Sequence, residues 1–234
     1  MLALAIRHVE VEDCGTLADV LASRGFELRY VDAGRDDLRA IDAARPDLVI
    51  GLGGPASVYD AAKHPWITDE LRLVERRLAT NKPLLAICFG AQMLSQVLGA
   101  RVYAAATAEL GWKPLQLTSA GESSLVRPLG AQHTSMLHWH GDVFDLPRGA
   151  VLLASTADAP HQIYQYGNSV LAFQCHPEVR VSEMDDWLVA YADEVAAATG
   201  VTEEQLRLDT ARLGPKLAQQ AQMVFGAWLD AVGS

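Results

Sequence analysis

Apolar positions follow two rhythms along this chain, and the pattern changes near Gly99. Before that point, short unbroken apolar runs alternate with segments whose apolar residues recur every three or four positions. Residues 2–6, 48–50 and 84–87 have the first pattern, that of buried strands, and 26–31 reads as a further strand in which polar and apolar residues alternate. Residues 16–23, 38–44 and 66–80 have the second; the middle segment is the weakest and ends before Pro46. In the last of them Ile67, Leu71, Val74 and Leu78 mark an apolar helical stripe. With a helix over 91–98 after the fourth strand, the β-α order repeats four times. That predicts an α/β fold: a mainly parallel central sheet with helices on both faces.

Beyond Gly99, residues 112–118 alternate, 151–155 are apolar, and 163–166 and 170–175 flank a turn at Gly167-Asn168. These are hairpin signals, so extra antiparallel strands extend or cover the sheet. From Ser182 the composition favours helix, with breaks expected near Gly200 and at Gly214-Pro215. Trp187, Leu188, Met223, Phe225 and Trp228 have the spacing of packing residues. The same tail is also a surface on which a second copy or another subunit would dock. Without internal repeats or a low-complexity linker, the simplest division is one domain, 1–234, with 182–234 as a helical C-terminal extension.

Half of the 234 residues are apolar, enough for a sizeable core. Nineteen basic against twenty-nine acidic residues give a net charge of −10, which argues against a nucleic-acid or anionic-membrane surface. The opening apolar run is too short for a signal peptide, and its positive charge follows the run instead of preceding it. Cys14, Cys88 and Cys175 are odd in number and widely spaced, with no C-x-x-C pair. That fits a reducing, cytoplasmic setting and not a disulfide framework or a cysteine-rich zinc site.

Candidate chemistry begins at Lys82 to Gln92, K-P-L-L-A-I-C-F-G-A-Q. A strand passing straight into a helix there leaves no room for a loop, so the turn at Cys88 is sharp and projects that side chain from the strand tip. Ala86 and Gly90 are small enough to allow it. The adjacent helix N-terminus favours negative charge, so a thiolate at Cys88 is expected to form more easily than in free cysteine. The bland alternative is a buried core cysteine. The partner signal is Gln174-Cys175-His176-Pro177-Glu178 at the end of a strand. His176 and Glu178 share a face in extended chain, so the carboxylate can orient the ring and leave its other nitrogen for a thiol. Cys175 faces the other way, into the core.

Gly51-Leu52-Gly53-Gly54-Pro55 follows the third strand and lets backbone N–H groups approach a ligand, as an oxyanion hole requires. A dinucleotide loop fits poorly, because Pro55 removes a donor and the G-x-G-x-x-G spacing fails. His138 and His140 share a strand face as a metal pair would, yet no third ligand stands at suggestive spacing, so neither metal nor cofactor is expected. His8, His64, His133 and His161 read as surface or loop residues.

Cys88 on its turn, His176-Pro177-Glu178 and the Gly53-Gly54-Pro55 loop together resemble the Cys-His-Glu triad and oxyanion loop of class I glutamine amidotransferases. The likeness is in particular to the glutaminase half of GMP synthase and its free-standing relatives. It extends over Pro55–Tyr59, Glu109-Leu110-Gly111-Trp112 and His138–Asp142, and covers most of the chain to about Arg180. The resemblance implies a flavodoxin-like α/β fold and catalysis by Cys88, His176 and Glu178. It implies an oxyanion hole from the amides of Gly54 and Phe89, and substrate binding by Gly53, Gln92, Trp139 and His140. Its substrate would be glutamine or another γ-glutamyl compound, with ammonia passing to a separate synthetase subunit, since no nucleotide signature appears here. A free-standing γ-glutamyl hydrolase is the alternative. Two residues depart from the family: Ala86 stands where glycine is common, and Trp139 where a small hydroxyl residue is common, which would narrow or reshape the pocket. A non-catalytic protein that keeps the fold would have no need of all three triad residues. The PfpI-like group also puts cysteine on such a turn, but the His-Pro-Glu run and the glycine loop favour the amidotransferases.

Overall fold

The apolar runs at 2–6, 48–50 and 84–87 fold as inner strands of one sheet, and 26–31 forms its half-exposed edge strand. In the computed structural model, which describes residues 1–130 and 134–233, the strands are β1 (Leu2–Arg7), β2 (Glu27–Asp32), β3 (Leu48–Gly51), β4 (Leu84–Ile87), β5 (Val102–Pro114), β6 (Gln116–Leu117), β7 (Ser135–Phe144), β8 (Ala150–Ser155), β9 (Ile163–Tyr166) and β10 (Val170–Phe173). The helices are α1 (Gly15–Ser23), α2 (Trp66–Ala79), α3 (Phe89–Val97), α4 (Ser119–Glu122), α5 (Arg127–Gly130), α6 (Met184–Ala190), α7 (Ala192–Ala197) and α8 (Glu203–Val232). The eight-stranded sheet has the order β2-β1-β3-β4-β10-β9-β8-β6. Its first five strands are parallel; β9, β8 and β6 continue it antiparallel. Strands β5 and β7 form a separate antiparallel ribbon.

Alternate strand residues feed two cores. Ala3, Ala5, Leu48, Ile50, Leu85, Ile87, Leu171 and Phe173 pack with α1, α6 and α8, whereas Val49, Leu84, Ala86, Val170 and Ala172 pack with α2 and α3. The inner strands β3, β4 and β10 therefore carry no polar side chain, and β1 none before Arg7, which is why they read as unbroken runs.

The helical tail is half of this architecture. Leu217, Ala221, Val224, Phe225 and Trp228 of α8 are buried against the sheet, and Phe225 meets Phe173 edge-on at 6.1 Å. Trp187 and Leu188 are buried as expected, but Met223 lies off the buried stripe and is 63% exposed. The break at Gly200 is present, between α7 and α8. The one at Gly214-Pro215 is not, because α8 runs through both residues. A Cβ on Gly214 would stand 2.5 Å from Val181 Cγ2, so this glycine serves close packing and does not end the helix. Proline costs the helix a hydrogen bond, and burial of ten α8 residues outweighs it.

The segment read as a helix over 38–44 is a single 3-10 turn, Leu38–Ala40. The carbonyls that follow it are turned toward Arg77. This fully buried guanidinium donates to the carbonyls of Ala43, Pro46, Asp47 and Pro83 at 2.8–3.2 Å. Burial lowers its pKa to about 10. Arg77 thus ties the starts of β3 and β4 together, at the opposite end from the glycine loop and Cys88. Arg77→Leu is expected to lower the unfolding free energy by about 3–5 kcal/mol, since several buried carbonyls lose their donor. Urea denaturation of the variant beside the parent protein measures this.

Candidate active site

In parallel sheets the crevice beyond the carboxyl ends of the strands is where side chains from several strands converge. Strands β3, β4 and β10 lie side by side, with Gly51 opposite Ala86 and Ala86 opposite Ala172. Their carboxyl ends therefore place the Gly53-Gly54 loop, Cys88 and the Gln174–Glu178 segment in adjacent positions.

At the tip of β4 the backbone turns sharply. Cys88 has φ +49° and ψ −109°, a left-handed conformation for a non-glycine residue that costs about 1–3 kcal/mol. The helix starts at Phe89, two residues earlier than its apolar spacing suggests, so the Phe89 N–H is a first-turn amide without an intrahelical acceptor. Gly90 makes the turn feasible: a Cβ there would stand 2.3 Å from the Gly51 carbonyl oxygen. Ala86, by contrast, fits inside β4 without consequence for the turn.

His176 Nδ1 and Glu178 Oε1 are 2.8 Å apart, both side chains buried. Its backbone N–H donates to Leu137 O of β7 at 2.9 Å, and the ring stacks edge-on against Trp187 at 5.0 Å. Among the described residues Nε2 has no hydrogen-bond partner, and the sulfur of Cys88 is close enough to shift the ring's ionisation. Burial alone would lower the pKa of His176, but Glu178 and Cys88 outweigh it and hold the ring well above the usual imidazole range. For Cys88 the balance runs against the expectation of an easily formed thiolate. Burial of the sulfur raises its pKa and outweighs the attraction of His176. A helix N-terminus acts over a short range and modestly, whereas the sulfur has lost nearly all its water.

A cavity of about 370 Å³ is lined by Gly54, Cys88, Gln92, Trp139, His140 and Glu12; of the other expected residues, Gly53 lies just behind it against Glu12 and His176, and the Phe89 side chain packs away from it with Trp66 and His8. Gln92 is held by Asp142 O at 3.4 Å and Gln174 Oε1 at 3.3 Å. The Trp139 carbonyl lies 3.6 Å from Cys88 Sγ, and its indole N–H donates to Glu194 of α7 at 2.9 Å. Cys175 is fully buried in the core, and all three cysteines are free. A larger cleft of about 600 Å³ between Met1, Arg24 and the end of α8 is lined by no thiol, hydroxyl or imidazole, so volume does not select the site.

Sequence reasoning missed several residues here. Glu12, in the loop after β1, is buried beside Gly53 and His176 and accepts a hydrogen bond from the Tyr191 hydroxyl; burial raises its pKa. Its one legible signal was its place in a loop at the carboxyl end of a strand. His8 was expected at the surface, but its side chain is buried between the Gly53 carbonyl and Glu70, 2.8 Å from each. It fixes the glycine loop from beneath: a Cβ on Gly54 would meet His8 Cβ at 2.7 Å. His64 and His161 are partly buried, and His133 lies outside the described residues. The ribbon also brings Glu109 to His138 and His140, all three buried, with ligand atoms within 4.8 Å of one another. Burial pushes His138 down to about 4. Glu109 is held at about 2, because the influence of the two histidines outweighs its own burial.

No helix of the described residues is long and apolar enough to cross a membrane. The sequence model of the family "Glutamine amidotransferase class-I" matches residues 11–191. The glutamine amidotransferase-like protein YfeJ of Salmonella typhimurium is 31% identical over 199 residues, 82% of each chain. GMP synthase of Streptococcus mutans is 32% identical over 208 residues, 83% of this chain but 38% of that one. A crystal structure of a glutamine amidotransferase from Thermotoga maritima superposes with a TM-score of 0.88 at 30% identity, covering 98% of both chains.

Proposed function

The chain belongs to the class-I glutamine amidotransferase family, and on that premise we propose that it hydrolyses the γ-amide of glutamine through a γ-glutamyl thioester on Cys88, releasing ammonia for a separate acceptor subunit. The observation that carries this reading is the placement of Cys88 on a strained strand tip beside His176, whose second ring nitrogen is held by Glu178 at 2.8 Å. The Cys88 thiol gives its proton to His176 Nε2 as sulfur attacks the γ-carbonyl. The amides of Gly54 and Phe89 receive the oxyanion, an effect of about 3–4 kcal/mol per donor. His176 then protonates the departing nitrogen, and the C–N bond breaks. Water, deprotonated by the same ring, cleaves the thioester to give glutamate and free thiol. Gly53, Gln92 and the backbone at Trp139 and His140 hold the α-amino and α-carboxylate groups. The whole of 1–234 acts as one glutaminase unit in a reducing compartment.

A second reading, a free-standing γ-glutamyl hydrolase, draws support from the acidic lining of the cavity. Glu12 and Glu194 both face it and would suit a leaving group larger and more basic than ammonia. The two readings separate in one assay of the purified protein with glutamine and with γ-glutamyl peptides, following ammonia and amine release. Slow glutamine turnover that an added synthetase accelerates supports the first; rapid peptide cleavage without a partner supports the second. A glutamine-analogue electrophile is expected to label Cys88 and neither Cys14 nor Cys175. Labelling elsewhere, or release of neither product, would overturn the assignment.

A further inference from the structure

We propose that Glu109, His138 and His140 form a binding site for a single zinc-class divalent cation on the β5/β7 ribbon, behind Trp139. The ribbon itself sets up the geometry. His138 and His140 are two residues apart on β7 and share a face, and Glu109 of β5 pairs directly with His140 across the ribbon, next to its register shift. Glu109 Oε2 lies 3.2 Å from His140 Nε2 and 3.6 Å from His138 Nδ1. Ligand atoms about 2.1 Å from a tetrahedral ion stand about 3.4 Å from one another.

The hydrogen bonds on the far sides of the rings fix which nitrogens are bare. His140 Nδ1 faces the Asp142 carbonyl at 3.1 Å and His138 Nε2 faces the Lys113 carbonyl at 3.3 Å. A carbonyl only accepts, so each of these nitrogens carries the hydrogen and the other nitrogen of each neutral ring presents a lone pair. Both of these nitrogens lie within 3.6 Å of one carboxylate oxygen, Glu109 Oε2. Metal-bound histidines are held in this way, with the second N–H on a backbone carbonyl. His138 Nδ1 is fully buried and has no partner among the described residues.

The cluster has other polar neighbours. Gln162 Nε2 donates to Glu109 Oε2 at 2.6 Å and lies 3.4 Å from His140 Nε2; Thr156 Oγ1 donates to the same oxygen at 3.1 Å. Lys113 Nζ is 3.6 Å from Glu109 Oε1. The Gln162 amide would give way to the ion, and it leaves His138 Nδ1 unsatisfied in either case. Glu109 and His140 also line the cavity, which leaves the fourth position open to a water. An ion there would tie both strands together and stiffen the cavity wall that carries Trp139.

The test uses the full chain carrying Cys88→Ala, so that the cavity thiol cannot compete for metal. Equilibrium dialysis against Zn²⁺ is expected to retain one equivalent, and Glu109→Gln or His138→Asn in the same background is expected to weaken binding by about 100-fold. Zn²⁺ is also expected to raise the Tm of the parent by about 5 °C and to leave that of Glu109→Gln unchanged. If either variant fails to fold, the parent loaded with Co²⁺ decides: visible d–d absorption without a thiolate charge-transfer band supports the site. No saturable binding, binding of equal strength in both variants, or a thiolate band overturns it.

Discussion

Cys88→Ala is expected to cut the release of ammonia or amine by about 10⁴-fold or more while leaving the protein folded. Loss of a nucleophile removes the covalent route altogether, and what survives is the weaker effect of binding and oxyanion stabilisation. The substitution removes a buried sulfur that makes only long contacts, 3.6 Å to the Trp139 carbonyl and 3.7 Å to Gln174 Nε2. Near-parent unfolding curves with lost turnover would separate chemistry from stability. Equal turnover in both proteins would sink the assignment. The parent enzyme also has a defined pH response. Cys88 and His176 both have raised pKa values, so at low pH the pair holds a proton on each group and cannot attack. One proton must leave before the thiolate–imidazolium arrangement forms, so kcat/KM for glutamine rises with pH through the pair's first macroscopic ionisation. A profile that falls with rising pH across neutrality would contradict this sign.

Gly90→Ala is expected to remove about 3 kcal/mol or more of stability and most of the soluble yield. The added methyl would sit 2.3 Å from the oxygen and 2.5 Å from the carbon of the Gly51 carbonyl, and these are backbone atoms that no rotamer change can move. Overpacking of flexible side chains costs about 1–3 kcal/mol, and here the obstacle is the end of β3 itself. The reciprocal change is a built-in control. A Cβ on Gly51 approaches Gly90 Cα at 3.3 Å, so Gly51→Ala asks for a shift of a few tenths of an ångström and is expected to fold. Thermal melts of the two variants beside the parent test the contrast; equal melting temperatures would contradict it.

The residues that sequence reading located share one property: each announces itself within a few positions of its own chain. Cys88 stands between an apolar run and a helix, and His176 and Glu178 are two residues apart. The inner strands were legible because both faces are buried, so no polar residue interrupts them. Glu12, His8 and Glu109 are single polar residues without a local pattern. Their partners, Tyr191, Glu70 and the two histidines, are brought to them by topology over tens to hundreds of residues. The first part of β5 was equally silent, since its residues are largely exposed and alanine-rich. At Gly214-Pro215 and at 38–44 the local preference was read correctly and then overruled, in one case by packing against Val181, in the other by the demand of Arg77 for carbonyls.

Helix α8 follows every strand in the chain and closes one side of the sheet. During synthesis the nascent polypeptide therefore holds the Cys88-bearing strand with an open, greasy flank until this helix emerges. Ribosome-bound intermediates lacking it would be sticky and would depend on chaperones.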